Sequence, residues 1–264
     1  LQLCEFSINK KEGIYMIFID PGHGGAESGA VANGLIEKDI NLVVSLEVKR
    51  ILELNGQKVL MSRKDDSTVW LKERWNIANN ANADFFISIH HNANNCDTFG
   101  TEIYHSINMG IGQDLAHKIA VEFSNSGWAT RTLQRESATK GQDYYAVIRQ
   151  TKMPALIIEA GYIDSSEYKK FDTQEELFEE ARIIATGILK FIGVGTIKIK
   201  DYSKERFMDI DRHWAEKTIL EAVDLGIVNG YDDKKQFKPD NFCTRAEVTQ
   251  IALNLYNLIR KIEG

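Results

Sequence analysis

The sequence predicts an α/β domain, a mostly parallel sheet flanked by helices, followed by a small all-α C-terminal module. Three observations predict it. From Met16 to Ile192, short apolar runs alternate with amphipathic stretches, the pattern of strand–helix units that build a parallel sheet. The apolar runs are rich in β-branched and aromatic residues, as buried strands require. Beyond Ile192 the texture changes, first to a polar stretch and then to two helical segments.

Each element has its own signal. Residues 16–19 read as the first strand. Residues 38–55 carry Ile40, Val43, Val44, Val48, Ile51 and Leu52 near helical spacing, and Asn55-Gly56 is a C-terminal stop. Residues 58–62 form a second strand and residues 71–80 a helix. Residues 84–90, D-F-F-I-S-I-H, make a third strand, and residues 100–105 a fourth. Residues 112–125 are helical, with Leu115, Ile119 and Phe123 on one face. Residues 154–159, P-A-L-I-I-E, are an apolar strand ending in a carboxylate, and residues 173–192 are a helix. The expected domains are a leader at 1–15, a catalytic domain at 16–193, a linker at 194–206 and a module at 207–264.

Composition narrows the function. Hydrophobic residues make up 43% of the 264 and charged residues 27%, which supports a packed core and argues against global disorder. A net charge of −6 argues against nucleic-acid binding through phosphate neutralisation. No apolar run approaches the length of a membrane span. Carbohydrate and cell-wall substrates remain, because neutral contacts can read them. Cys4, Cys96 and Cys243 are far apart with no Cys-x-x-Cys spacing, so neither a zinc knuckle nor a disulfide framework is indicated. Residues 1–15 show no signal-peptide pattern. Lys11-Glu12-Gly13 can be encoded by a purine-rich ribosome-binding site just ahead of Met16, so this stretch is expected to be leader.

In open α/β sheets, ligands sit beyond the carboxyl ends of the strands. His23 follows the first strand in D-P-G-H-G-G, His90 closes the third, Glu159 closes the apolar strand, and Glu37 precedes the first helix in I-E-K-D. Two imidazoles and two carboxylates therefore meet at one sheet edge. Zinc takes imidazole nitrogen and carboxylate oxygen, and a catalytic site uses three protein ligands. Two His and one Glu complete that set, and the remaining carboxylate is a general base for water. The glycines beside His23 let the backbone turn sharply and keep side chains clear. His105 and His117 have no such partners and read as structural or solvent-exposed.

D-P-G-H-G-G, E-K-D-I-N-L, S-I-H-H-N-A and M-P-A-L-I-I-E-A-G-Y-I-D resemble, in that order, the motifs of the zinc-dependent N-acetylmuramoyl-L-alanine amidases of the type 3 family. The resemblance covers residues 16–192. It implies Zn2+ held by His23, Glu37 and His90, with Glu159 as the catalytic glutamate. It makes His90 the ligand of the His90-His91 doublet, and His91 then faces the other way. Arg63 and Arg74 stand where the family also shows arginines and are expected to be structural. The implied reaction is hydrolysis of the amide between N-acetylmuramic acid and L-alanine in peptidoglycan. Tyr144, Tyr145 and Arg149 precede the Glu159 strand and are placed as groove lining.

Residues 207–252 are similar to a single S-layer homology module, with F-x-D-I, H-W-A, G-I-V-N-G-Y, F-x-P-D and T-R-A-E in order. Thr244 and Glu247 form a capping-box pattern. By resemblance the module binds secondary cell-wall polysaccharide, with Asp209, Trp214 and Arg245 as candidate contacts, Trp214 being more readily a core residue. Such modules usually come in threes, and one copy here raises association of chains into a homo-oligomer, a trimer among the forms. The expected protein is made in the cytoplasm and acts at the cell wall, as a phage endolysin or lysis enzyme. The alternatives are a host autolysin, a spore-lysis amidase, or a zinc peptidase on the stem peptide.

Overall fold

The computed structural model describes residues 13–94, 96–198, 207, 209–210, 215–230 and 236–263. The chain divides into two compact units around residue 200. The elements of the first unit begin with β1 (Met16–Pro21), β2 (Val31–Ala32), β3 (Leu35–Ile36), α1 (Glu37–Leu54), β4 (Lys58–Met61), α2 (Leu71–Asn80), β5 (Phe85–Asn92) and β6 (Thr101–Tyr104). They continue with α3 (Ile111–Asn125), β7 (Thr130–Leu133), α4 (Ala146–Gln150), β8 (Ala155–Tyr162) and α5 (Gln174–Phe191). A 3-10 turn at Ser166–Lys170 precedes α5. Six strands form one sheet in the order β4-β1-β5-β8-β6-β7. All neighbours run parallel except β6 and β8, which are antiparallel.

Strand alternation gives the sheet two unlike faces. Ile17, Ile19, Ile87, Ile89, Ile103, Leu156 and Ile158 face α1, α3 and α5 and form the larger core with Val44, Val48, Ile119, Phe123, Ile184 and Ile188. Phe18, Phe86, Ala155 and Ile157 point the other way and pack beneath the shorter α2 and α4, through Ala78, Val147 and Ile148. Those two helices cover only part of their face. His90 and Glu159, further along β5 and β8, are half-buried and open to solvent.

Four elements were not expected, each for a physical reason. β2 and β3 are a two-residue-turn hairpin at Asn33-Gly34, where both residues have positive φ (50° and 81°), the conformation that Asn-Gly favours. β7, T-R-T-L, lies at the sheet edge and alternates polar with apolar, so it lacks a strong strand signal. α4 has only five residues, too few to show a period.

Two domain edges move. Tyr15, expected in the leader, is 3% exposed and packs on Phe85 with ring centroids 5.7 Å apart. Val194 and Ile197 pack against the larger core, and Lys198 N–H donates to Asn55 Oδ1 at 2.7 Å. The first five residues of the expected linker thus belong to the first unit. Residues 1–12, Cys4 included, lie outside the described residues.

The second unit contains α6 (Glu216–Asp224) and α7 (Arg245–Glu263). Its core is Phe207, Ile210 and Ile219, with Phe237, Leu220 and Val223 against them. Thr244 and Glu247 form the expected reciprocal cap, Glu247 N–H donating to Thr244 Oγ1 at 3.2 Å and Thr244 N–H to Glu247 Oε2 at 2.7 Å. No helix of the described residues is long and apolar enough to cross a membrane.

Candidate functional site

β1 ends in the turn that carries His23, and this turn is built by donors from elsewhere. Arg63 donates to the carbonyls of Pro21 (3.2 Å), Gly22 (2.9 Å) and Lys38 (2.7 Å). Arg74 donates to those of Pro21 (2.7 Å) and His23 (2.8 Å). Buried Asp20 pairs with Arg74 at 2.7 Å and accepts from Ser62 and Ser88 at 2.6 and 2.7 Å. His23 itself has φ 59°, an uncommon conformation for a residue with a side chain, and the clamp holds it there. Gly22 answers a close approach, since a Cβ there would lie 2.3–2.5 Å from the His90 ring.

The β2–β3 hairpin delivers Glu37. The chain returns so that Glu37 N–H donates to Ala30 O at 2.9 Å, while Ala30 N–H donates to Glu37 Oε2 at 2.8 Å. Glu37 is the first residue of α1, where a negative charge meets the positive end of the helix dipole. A Cβ on Gly29 would lie 2.4 Å from Glu37 Oε2 and 2.6 Å from the His23 ring, so Gly29 lets the two side chains meet.

The ring nitrogens of both histidines point at one oxygen. His23 Nε2 is 3.2 Å and His90 Nδ1 2.9 Å from Glu37 Oε1. The rings stand edge to face, 4.9 Å apart. One donor atom from each of His23, Glu37 and His90 lies within 4.8 Å of the others. Two imidazoles and a carboxylate converging this closely fit a zinc ion in donor type and number. Burial alone would raise the Glu37 carboxyl, but its hydrogen bonds with His23 and His90 hold it well below the ordinary range. For His90, burial works downward, yet the bond to Glu37 and the charges of Glu159, Glu37 and Asp20 push it up to about 9.

Glu159 stands beside this cluster, paired with His90 across β5 and β8. Burial pushes its carboxyl up to about 7, with Glu37 and Glu102 adding to the rise and His90 and His91 opposing it. The structure therefore brings His23, Glu37, His90 and Glu159 together. Tyr145 packs on Tyr104 at 4.9 Å, and Arg135 lies over the exposed Tyr144 at 3.8 Å. Arg149, placed as groove lining by sequence, instead donates to the carbonyls of Asp143 and Tyr144. His105 and His117 have ring centroids 6.4 Å apart, and His105 Nδ1 bonds the Ser106 carbonyl.

His91 points to the opposite face, fully buried. Its Nδ1 lies 2.7 Å from Asn41 Oδ1 and its Nε2 2.9 Å from Glu180 Oε2. Asn41 Nδ2 donates to the Gly22 carbonyl at 3.2 Å and to Glu37 Oε1 at 3.4 Å. Its amide oxygen must then accept, so His91 Nδ1 carries a proton. The chain of contacts runs from α5 through His91 and Asn41 to both Glu37 and the His23 turn. Asn41 and Glu180 were missed at the sequence level. Their signal was a polar residue on an apolar helix stripe, Asn41 beside Val44 and Val48, and Glu180 between Leu177 and Ile184.

In the second unit, Asp209 accepts the backbone N–H groups of Phe237 (2.8 Å) and Lys238 (2.6 Å). Each of its oxygens thus holds one backbone group of that loop, a structural role beside the glycan contact expected from sequence. Arg245 is exposed at the start of α7, and Trp214 lies outside the described residues. Cys96 and Cys243 are free and exposed.

Over residues 17–190 the chain matches the N-acetylmuramoyl-L-alanine amidase family, and over residues 206–249 the S-layer homology domain. It is 38% identical over 180 residues to the sporulation-specific N-acetylmuramoyl-L-alanine amidase of Bacillus subtilis, a match covering 65% of this chain and 66% of that protein. It is 36% identical over 186 residues to the amidase CwlM of Bacillus licheniformis, covering 66% of this chain and 67% of that protein. Among solved structures, the catalytic domain of CwlV, an N-acetylmuramoyl-L-alanine amidase from Bacillus (Paenibacillus) polymyxa, aligns with a TM-score of 0.61 and 31% identity over 68% of this chain and 99% of that one. The match thus spans about two thirds of the length of those two curated relatives.

The buried His91–Glu180 pair has a measurable consequence. Glu180→Leu strips His91 Nε2 of its partner and is expected to cost about 1–3 kcal/mol in urea denaturation of the metal-free protein. Glu180→Gln, whose amide can donate to a neutral Nε2, should lose less. Equal stability of the Leu variant and wild type would show that the pair contributes nothing.

Proposed function

Because the chain belongs to the N-acetylmuramoyl-L-alanine amidase family and carries an S-layer homology domain, we propose that it hydrolyses the amide joining N-acetylmuramic acid to L-alanine in bacterial peptidoglycan. One observation carries this reading. His23, Glu37 and His90 converge on a single point, with Glu159 in register beside them. In this assignment the three are zinc ligands and Glu159 is the general base. When bound, zinc acidifies a water and polarises the scissile carbonyl. Glu159, whose proton affinity lies near neutrality, takes a proton from the attacking water and returns one to the leaving amine. Glu37, held below the ordinary carboxylate range by its bonds to His23 and His90, is anionic at neutral pH, the form a ligand needs. No serine or cysteine is needed as a nucleophile.

The module holds the enzyme at the wall through secondary polysaccharide, with Arg245 as the exposed contact. The similarity to a sporulation-specific amidase favours a cellular wall-remodelling role over a phage lysis enzyme. Self-association is the finer part of this reading. Val248, Leu255 and Ile259 recur at helical spacing on α7 and are 44–53% exposed except for Leu255 at 43%, an apolar stripe of the kind that pairs helices.

Three outcomes test these statements. Wild type with zinc should release new L-alanine amino termini from purified peptidoglycan while leaving glycan strands intact. EDTA treatment should abolish this, and Glu159→Gln should slow it about 10²–10⁴-fold with zinc still bound. New termini elsewhere in the stem would make the enzyme a peptidase.

Zinc uptake should also be coupled to pH. A ligand imidazole must be neutral, and metal-free His90 keeps its proton up to about 9. Below that pH the metal must expel the proton, so affinity rises as pH rises toward that value. Calorimetry at about pH 7.5 in buffers of different ionisation enthalpy should show about one proton released per zinc from His90. Release of none would place His90 outside the metal site.

Leu255→Glu should reduce association in sedimentation equilibrium and weaken retention on intact walls. A clean wild-type monomer at high concentration would remove the oligomer.

A further inference from the structure

The sheet register lines up a row of charge that no motif announces. His90 on β5 pairs with Glu159 on β8, Glu159 with Glu102 on β6, and Glu102 with Arg131 on β7. Residues paired across adjacent strands share a face. The row therefore extends from the metal cluster across the open face to the sheet edge. An irregularity in β8 between the His90 and Asn92 pairings sets Asn92 opposite Tyr162. One extra β8 residue is accommodated there, and Tyr162 is turned toward the same side as Glu159.

Glu102 is buried and its carboxylate is fully engaged. Oε1 accepts from Arg131 Nε at 2.9 Å and Nη2 at 2.5 Å, and Oε2 accepts from the Tyr104 hydroxyl at 2.7 Å. Burial, with Glu102 adding to it, pushes the Tyr162 hydroxyl up to about 12, so it remains a neutral phenol beside the pair. Glu102 is thus no second base. It is an anchor, and what it anchors is the Arg131 side chain, 45% exposed at the rim of the open face. Two of the five guanidinium N–H groups go to Glu102 and Arg131 also bonds the Tyr162 hydroxyl, which leaves the remaining N–H groups as donors for a planar anion. A side chain already held in place loses little freedom on binding.

Distance and charge select the ligand. Arg131 stands two strands from Glu159, about 9–10 Å at the backbone. Two extended peptide residues cover about 7 Å, and the guanidinium reaches back along its own side chain. On the glycan side of the scissile amide the neighbouring N-acetyl sugars are neutral. On the peptide side, the residue after L-alanine is a glutamate linked through its γ-carboxyl, so its α-carboxyl is free as an anion or capped as an amide.

We propose that Arg131, held by Glu102, binds the free α-carboxylate of the stem-peptide residue that follows L-alanine and makes the enzyme prefer the acid over the amide. The assignment rests on the amidase reading above and adds a specificity residue to it.

The test uses the full chain, zinc-loaded, on two matched muramoyl tripeptides that differ only in whether this α-carboxyl is free or amidated. Wild type should show kcat/KM about tenfold or more higher on the acid, the gain expected from a charge-assisted fork. Arg131→Gln should bring the ratio close to one, through a larger rise in KM on the acid than on the amide. Arg131→Lys, a charge without the fork, should fall between. Arg131→Gln leaves the buried Glu102 without its charge partner and should lower the thermal midpoint, whereas Arg131→Lys keeps the charge and should lower it less, so the substrate ratio, not the absolute rate, is the readout. Equal loss on the two substrates, or no loss on either, overturns the assignment while leaving the amidase reading intact. Failure of wild type to cut either tripeptide at the muramoyl–alanine bond overturns the amidase reading and this one with it.

Discussion

The clamp on the turn after β1 is the constraint on which the rest of the site depends. The turn directs the carbonyls of Pro21, Gly22 and His23 toward protein instead of solvent, and buried carbonyls need donors. Arg63 and Arg74 supply them. Two buried guanidiniums in turn need negative charge and acceptors. Asp20 gives the charge and the turn carbonyls give the acceptors, so each part satisfies the other. Removing Arg74 would strip the His23 carbonyl of its donor and let His23 relax from its left-handed conformation, while removing Arg63 would leave the Pro21 carbonyl to Arg74 and the Gly22 carbonyl to Asn41. The family arginines expected to be structural therefore act through the backbone of the residue that carries the first imidazole.

A single step along β5 separates two different uses of histidine. His90 faces the open side and meets Glu37, whereas His91 faces the covered side and meets Asn41 and Glu180. Strand alternation forces that division. The two sides are nonetheless joined, because Asn41 touches both His91 and Glu37. The larger core, through α5, thereby supports the position of Glu37 on the other face. Such outer contacts fix ligand orientation as much as the ligands' own rotamers do.

Much of this was legible in the sequence. The apolar runs located β1, β5 and β8, and helical periodicity located α1, α3 and α5. Strand ends, with the rule that ligands gather there, marked His23, His90 and Glu159 before any geometry was known. What was not legible depends on register and reach. Nothing local says that Glu102 lies opposite Glu159, or that β6 runs antiparallel to β8. The hairpin that delivers Glu37 was written in Asn33-Gly34, a signal two residues long. Nothing local announces the partners of Asp209 either, since Phe237 and Lys238 offer backbone groups 28 and 29 residues away.

Glu37 and Glu159 show how one residue type takes two roles within one site. Glu37 sits at a helix N-terminus and faces two imidazoles, so its proton is driven off far below neutrality. Glu159 has no direct cation partner among the described residues and lies near two other carboxylates, so burial prevails and its proton affinity rises to near neutrality. Environments that push two carboxyl groups apart in this way are what the proposed division between a metal ligand and a proton carrier requires. The half-open face explains why the second environment is possible at all. Had α2 and α4 covered His90 and Glu159 as they cover Phe86 and Ile157, the charge would have been buried without a substrate to meet it. A short pair of helices leaves the chemistry exposed and the same sheet face packed, which suits a site that must admit part of a polymer.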